Sequence, residues 1–379
     1  MTESEVFITN TAAFLPNHAV DNDHIEDYLG LIGGKPSRVK NIILRQNGIK
    51  KRYYALNTNQ QITHTNAEIT ANAINSLFDR EVNLNSIELL SCGTSVPDQL
   101  LPSHTAMVHG LLKTKAIDII SPAGVCAAGA HAIKVGYMSV KSGCSRNAVC
   151  TGSEQTSGFL LSKNFDAEYE ALSQIEQNPM IAFEKDFLRF MLSDGSGAFL
   201  LENKPRGNKS LRIEWIDSIS YANREGVCMY MGGEKREDGE LKSWKQFTQD
   251  EWLSRSVFSI KQDVRLLDSK VVDYCTEHIK LCCEKYKFNP SEVNYFIPHL
   301  SSMIFKEKLR KSMDEKQLNI PLENWFTNLE WVGNVGSASI YIALDELFHS
   351  GKLKQGEKIL LMIPESGRFS YVLVYLTVV

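Results

Sequence analysis

Cys126 occupies a position suited to a nucleophile. It lies in Ser121-Pro122-Ala123-Gly124-Val125-Cys126-Ala127-Ala128-Gly129-Ala130, a run of small residues between an extended segment and a helix. A thiol at a helix start faces unpaired backbone N–H groups and the positive end of the helix dipole. Both favour the thiolate, the reactive form. Small neighbours leave room for a carbonyl carbon beside the sulfur. The pattern predicts a helix from Ala127 to Ser142, with Ala128, Ile133, Val135, Met138 and Val140 as its apolar positions and Gly143 as its stop. A cysteine taken alone is more often a small core residue than a nucleophile, so the surroundings must decide.

Those surroundings repeat. The segment from Asn334, in Trp331-Val332-Gly333-Asn334-Val335-Gly336-Ser337-Ala338-Ser339-Ile340-Tyr341, also opens a helix with small residues. Both helices end in Ser-Gly at the same spacing, Ser142-Gly143 and Ser350-Gly351. An apolar strand follows each, Ala148-Val149-Cys150 and Ile359 to Ile363. Each strand runs into a turn, Gly152-Ser153-Glu154 and Glu365-Ser366-Gly367. Upstream, Ile87 to Thr94 matches Val293 to His299. The chain therefore reads as two related α/β halves. Equivalent ends of equivalent elements should meet near the axis between them, which places Cys126, His299 and Asn334 together. In isolation His299 reads as a satisfied buried histidine and Asn334 as a turn or cap residue; the shared register favours chemistry.

The chain resembles the ketosynthases of the thiolase superfamily, and within them the β-ketoacyl-acyl-carrier-protein synthase III group. The likeness rests on Val125-Cys126-Ala127, Ile297-Pro298-His299 and Gly333-Asn334-Val335-Gly336-Ser337-Ala338-Ser339, and also on Asn47-Gly48-Ile49-Lys50-Lys51-Arg52, Ser193-Asp194-Gly195-Ser196-Gly197-Ala198 and Ala343-Leu344-Asp345-Glu346. It covers nearly the whole chain in order. It implies a thiolase-like α/β fold: two duplicated halves with central mixed sheets in a layered α-β-α-β-α arrangement. Residues 1–205 would carry the nucleophile, with a cap or dimer insertion near 159–185, and residues 206–379 the catalytic His and Asn.

The resemblance also implies roles. Cys126 would attack an acyl thioester and hold the acyl group. The N–H groups of Cys126 and Gly367 would form the oxyanion site, and His299 and Asn334 would stabilise the enolate of a malonyl- or β-ketoacyl-thioester. The product would be a new carbon–carbon bond. A non-condensing acyltransferase and a non-catalytic partner subunit are the alternatives; retention of His299 and Asn334 speaks against the first and Cys126 against the second. Acyl thioesters on acyl carrier protein or coenzyme A would be the substrates, the enzyme would be a homodimer, and no cofactor is expected. Lys306, Lys308, Arg310 and Lys311, close after His299, are candidates for docking the acidic carrier, with an ordinary solvated helix face as the plainer account. The strand after Gly143 is the expected dimer edge.

Departures from the family pattern point further. The oxyanion turn reads Glu365-Ser366-Gly367-Arg368-Phe369 where the family carries a run of glycines, so Glu365 and Arg368 are expected near the reacting groups. Ile42 and Ile43 stand where the family often has a tryptophan for coenzyme A, which favours carrier-bound substrates. Glu154, at a strand end beside the pocket, is a possible second base; a structural turn carboxylate is the equal alternative. These features resemble the ketosynthase/cyclases of dialkylresorcinol and bacterial stilbene pathways, which close a cyclohexanedione or resorcinol ring.

Around these residues the chain reads as alternating strands and helices, with a helix from Thr65 to Phe78 and a junction at Glu202–Ser210. Gly232–Gly239 reads as a solvated surface turn. With 379 residues and a net charge of −4, the chain can bury a full core and is no general nucleic-acid binder. No apolar run reaches membrane-spanning length, and the acidic start lacks the features of a signal peptide, so a cytoplasmic protein is expected. The eight cysteines show no disulfide spacing. Cys275, His278, Cys282 and Cys283 suggest zinc, but they also form a helical stripe, and a half-buried helix face is the reading adopted; no metal is expected.

Overall fold

A computed structural model describes residues 4–78, 83–173 and 186–379. Its centre is a nine-stranded mixed sheet. The strands are β1 (Phe7–Phe14), β2 (Leu89–Thr94), β3 (Asp118–Ile120), β4 (Asn147–Glu154), β5 (Gly195–Glu202), β6 (Leu211–Ser220), β7 (Tyr295–Pro298), β8 (Lys358–Glu365) and β9 (Ser370–Val378). Their order is β7-β8-β9-β6-β1-β5-β4-β2-β3. Pairs β2–β3, β2–β4 and β7–β8 are parallel, and the rest are antiparallel. The β1–β6 junction is short, Phe7 opposite Arg212 and Ile8 opposite Leu211. Strands expected to form separate sheets thus join into one at that contact.

Alternation along the strands builds the layers, because successive side chains face opposite sides. In β4, Ala148 and Cys150 face a core shared with helices α3 (Ala128–Ser142) and α6 (Ser339–His349). Val149 faces the opposite core, under α1 (Asn66–Leu77) and α2 (His104–Leu112). In β8, Ile359, Leu361 and Ile363 join the α3/α6 core, while Leu360 and Met362 pack under α4 (Val264–Tyr286) and α5 (Ile304–Glu315). The two halves of the one sheet thus lie on either side of α3 and α6, with α1 and α2 outside one half and α4 and α5 outside the other.

The central helices approach closely only because glycines stand at the contacts. A Cβ on Gly129 would lie 2.3 Å from the Ser337 carbonyl oxygen, and one on Gly152 2.2 Å from it. One on Gly197 would lie 2.2 Å from Tyr341 Cβ. The Tyr341 hydroxyl donates to the Gly129 carbonyl at 2.8 Å, fastening α6 to α3. Helix α1 starts as its sequence suggests: Thr65 accepts from the Glu68 N–H and the Glu68 carboxylate from the Thr65 N–H, a reciprocal cap.

Two expectations change, and a third is described only in part. The strand after Gly143, β4, is interior, between β2 and β5, because the chain crosses back after β3. The sheet edges are β3 and β7. The 232–239 segment is part of a small hairpin, Gly233–Lys235 with Leu241–Ser243. The 159–185 insertion is described only to residue 173, where it forms short turns and the helix Asp166–Ser173; 174–185 lie outside the described residues.

The cysteine-rich stretch lies on α4. His278 and Cys282 come together with Asp217 of β6, their ligand atoms within 4.8 Å of one another. Asp217 already binds His278 Nε2 at 2.8 Å, Lys285 Nζ at 2.7 Å and the Tyr286 hydroxyl at 2.8 Å. These hydrogen bonds outweigh partial burial and bring its carboxyl down to about 2. A lysine ammonium inside the group opposes a cation, so the cluster is an ion-pair network that ties α4 to the sheet.

Candidate active site

Cys126 sits in the turn just before α3. Strand β2 brings the chain alongside at the Thr94–Ala123 bridge, and Gly93 lets the helix start lie flat on it: a Cβ there would meet the Ala128 carbonyl oxygen at 2.2 Å. The helix begins at Ala128, so the sulfur precedes the first helical turn. The Glu365 carboxylate, from the end of β8, accepts the N–H groups of Val125 at 3.0 Å and Ala127 at 3.3 Å. The positive end of α3 is thus compensated by a carboxylate. Burial pushes the Cys126 thiol well above its ordinary value, and the negative charges of Glu154 and Glu365 push it further the same way. The thiolate expected from a helix start is therefore not the resting form.

Asn334 is held from both sides. Its N–H donates to the Met191 carbonyl at 3.2 Å, and its carbonyl accepts from the Ser193 N–H at 2.9 Å. Gly333, at φ +79°, allows this approach, since a Cβ there would lie 2.9 Å from Ser193 Cβ. Asp194 fixes the facing strand by accepting the N–H groups of Ala55, Thr156 and Ser157 at 2.7, 2.7 and 3.0 Å. Asn47 and Arg52 both donate to the Phe190 carbonyl. The Asn-Gly-Ile and Ser-Asp-Gly motifs thus brace Asn334. Its Oδ1 accepts the Gly336 N–H at 3.0 Å, which leaves the Nδ2 hydrogens for the cavity.

Glu154 ends β4 against the same loop. It accepts the Ser95 hydroxyl at 2.6 Å and the Ser337 N–H at 3.0 Å. Burial dominates these bonds and raises its carboxyl to about 7. His299 follows β7, its N–H bound to the Met362 carbonyl at 2.8 Å. Burial lowers its imidazole to about 4, so the ring is neutral at pH 7, and its buried Nε2 has no partner among the described residues.

Cys126, Glu154 and Asn334 line one cavity of about 230 Å³. Its remaining wall is largely apolar and includes Met191, Met229 and Ile260. His299 borders two smaller cavities beside it, one shared with Ser301 and the other with Gly333; Ser301 reaches the main cavity. Gly367 is buried in the β8–β9 turn, and a Cβ on it would meet Val125 Cγ2 at 3.0 Å, so its backbone lies against the nucleophile turn. Arg368, expected at the reacting groups, turns away: it pairs with Glu240 and donates to the Glu225 carbonyl at 3.0 Å. Of the basic residues on α5, Lys308 pairs with Asp268, Arg310 with Glu307 and Asp314, and Lys311 with Glu315. Among the described residues Lys306 has no carboxylate partner.

Sequence reasoning missed Ser95, Gln262 and the methionines. Ser95 directly follows β2, and its place at a strand end was an available signal. Met229 and Gln262 reach the cavity through a two-residue ribbon, Met229–Tyr230 with Lys261–Gln262, too short to give any periodicity.

Known proteins are similar to this chain along most of its length. The family described as 3-oxoacyl-[acyl-carrier-protein (ACP)] synthase III C terminal matches residues 283–367, which include His299, Asn334 and Glu365. The β-ketoacyl-[acyl-carrier-protein] synthase III of Aquifex aeolicus is 25% identical over 95% of this chain and 96% of its own. The Clostridioides difficile enzyme of the same name is 22% identical over 94% and 93%. The chain is thus similar to the β-ketoacyl-[acyl-carrier-protein] synthase III enzymes along nearly its whole length. Among solved structures, AbyA1, a tetronic acid condensing enzyme, superposes with a TM-score of 0.78 at 17% identity, covering 98% of this chain and 99% of that one. A form of OleA from Xanthomonas campestris gives 0.76 at 17% identity, covering 100% and 99%. The chain thus shares the fold of these enzymes, and among its described residues no helix is long and apolar enough to cross a membrane.

Proposed function

We propose that this enzyme joins two acyl units by Claisen condensation, with Cys126 as the acyl carrier and His299 and Asn334 as donors to the enolate. The observation that carries this reading is the common cavity of Cys126, Asn334 and Glu154, with the Asn334 oxygen tied back and its amide N–H free. In the first step the Cys126 sulfur attacks a thioester carbonyl, and the oxyanion is met by the N–H groups of Cys126 and Gly367. The carrier thiol leaves with the proton that Cys126 gives up. In the second step an enolate forms on a second thioester, either by loss of carbon dioxide from a malonyl unit or by loss of an α-proton from a β-ketoacyl unit. Its carbon attacks the acyl carbon, and the Cys126 sulfur departs and regains a proton.

Glu154 gives this reading its finer form. A carboxylate at about 7 is matched to removing a proton from the acidic methylene of a β-ketoacyl chain, for condensation without decarboxylation or for ring closure. We read the enzyme as a ketosynthase/cyclase on this ground. We also take the 1–205 and 206–379 segments as duplicated halves, acyl carrier protein as the donor of acyl groups, and a homodimer as the working unit.

Intact-mass analysis tests the reading. Mixing with an acyl thioester should add one acyl group at Cys126, and a β-ketoacyl thioester should then discharge it into a condensed product. No adduct at Cys126 removes the proposal. An adduct that moves to an alcohol or amine instead would make the enzyme a non-condensing acyltransferase.

A further inference from the structure

Glu365 is a buried carboxylate that the steps above do not use. It is 8% exposed and lies at the end of β8, where the resemblance leads one to expect a glycine-rich turn. Its Oε2 bridges two N–H groups, Val125 at 3.0 Å and Ala127 at 3.3 Å, one on each side of Cys126. Room for it is made by glycines. A Cβ on Gly124 would lie 3.0 Å from Oε2, and one on Gly367 3.2 Å from Oε1. The side chain therefore lies between the nucleophile turn and the oxyanion turn.

We propose that Glu365 is a positioning residue that clamps the nucleophile turn, drawing the N–H groups on either side of Cys126 to itself and leaving the Cys126 N–H alone for the oxyanion. The inference rests on the ketosynthase reading for the meaning of the oxyanion, but the clamp itself is a property of the empty enzyme. Two consequences follow from elementary electrostatics. Helix-start N–H groups that would stabilise a thiolate are spent on a carboxylate, and the carboxylate charge then opposes the thiolate directly. Among the described residues, the charged groups acting on Cys126 are Glu154 from β4 and Glu365 from β8, with no basic side chain. Glu365 itself is raised above the ordinary carboxylate range by burial, against the pull of its two N–H donors. The resting enzyme thus keeps a thiol rather than a thiolate. Such a site resists adventitious alkylation and oxidation, and gives up its proton only when the attack on the thioester demands it.

The test is the pH profile of Cys126 alkylation by iodoacetamide, read by peptide mass so that the other cysteines do not contribute. In the unmodified enzyme the inflection should lie above the ordinary cysteine value of about 8.5. Glu365→Gln keeps the size and one acceptor oxygen but removes the charge, and should move the inflection down by about one unit, a tenfold gain in thiolate at neutral pH. A more acidic thiol is a poorer nucleophile, so the alkylation rate at pH 7.5 should rise by about threefold. Glu365→Asp keeps the charge but is too short to bridge both N–H groups. It should shift the inflection little, yet lower kcat for acyl loading, with Glu365→Gln less affected. A wild-type inflection at or below about 8 overturns the proposal without any variant. So does an unchanged profile in a folded Glu365→Gln enzyme. Because alkylation needs no substrate, failure of the condensation reading would show separately, as a missing acyl adduct.

Discussion

A thiol with two carboxylates for neighbours and no cation is a poor nucleophile at rest, and that fixes what each residue here must contribute. Cys126→Ala removes only the sulfur at a site of small residues, so the fold should survive with an unchanged melting temperature while acyl-adduct formation and turnover disappear. Near-wild-type turnover would end the mechanism. Glu154 calls for a pH argument. Its carboxyl ionises near 4.5 in an unfolded chain and at about 7 in the folded one. The folded state therefore holds this proton more tightly, and ionising it costs stability as pH rises from about 4.5 to 7. Glu154→Gln should gain melting temperature relative to wild type as pH goes from 5 to 8, with the gain complete above about 7. The same variant should still load Cys126, since removing a negative charge eases thiolate formation. It should then accumulate the adduct or release uncondensed material, and lose the rise in turnover with pH that ionisation near 7 would give. Normal product at a normal rate would make Glu154 structural; failure to load would place its action in the first step. That Cys126, Asn334 and Glu154 face one cavity was legible because each ends or opens an element at a repeated register, whereas His299 falls in the adjoining cavities. The Glu365 clamp was not, because its partners lie 238 and 240 residues away and nothing local in Glu365-Ser366-Gly367 announces them.

At the scale of elements, the strands and helices that carry the site were readable from period and punctuation, and α1 among them. What period cannot give is order in the sheet. The strand after Gly143, expected at the dimer edge from the family resemblance, shows this: its apolar sequence suits an interior place, and the crossover after β3 sets it between β2 and β5. The central packing is equally a matter of distant pairs. Gly197 in β5 leaves space for Tyr341 of α6, and its own sequence gives no hint of that neighbour. Gly197→Ala would put a methyl group 2.2 Å from Tyr341 Cβ, against a backbone-anchored atom rather than a flexible tip. Overpacking of that kind costs about 1–3 kcal/mol, and a lowered midpoint in denaturant should report it. Because α6 begins five residues after Asn334, turnover should fall more than the stability loss alone requires. Helix α5 offers the other test. Its basic residues are mostly paired at the surface, and exposed pairs of this sort contribute little to stability. Reversing charge at Arg310 and Lys311 should therefore leave the melting temperature near wild type. If this helix receives an acidic carrier, the change should raise KM for carrier-bound acyl groups several-fold and spare small thioester mimics; equal losses on both would refute docking there.

Among the described residues of the whole molecule, the central sheet ends at two edges, β3 and β7, and they are not alike. Beside β7, residues 324–326 already cover the strand: Phe326 N–H donates to the Phe296 carbonyl at 2.8 Å, and Trp325 bridges to Phe296. Edge β3 has no such cover among the described residues. Asp118 and Ile120 are exposed, and on the same flank Leu100 and Leu101 are 76% and 86% exposed, with Met107 and Leu111 also in the open. An open edge strand near several exposed apolar side chains is suited to self-association, and twofold dimers are the commonest closed oligomers. If the chain pairs with a second copy, β3 rather than the strand after Gly143 is the edge open to it. A twofold axis there would pair β3 with its copy and bury Leu100 and Leu101 against the partner. Ser95 and Val96 of the cavity wall lie only a few residues before Leu100 on the same connection, so the dimer contact and the active site share a segment. Light scattering at micromolar concentration should give twice the chain mass. The double variant Leu100→Asp/Leu101→Asp should give a folded monomer with weakened turnover, because the segment carrying Ser95 would lose its support. A wild-type monomer at that concentration removes the dimer from the account. A dimer that survives the double substitution would move the interface away from β3.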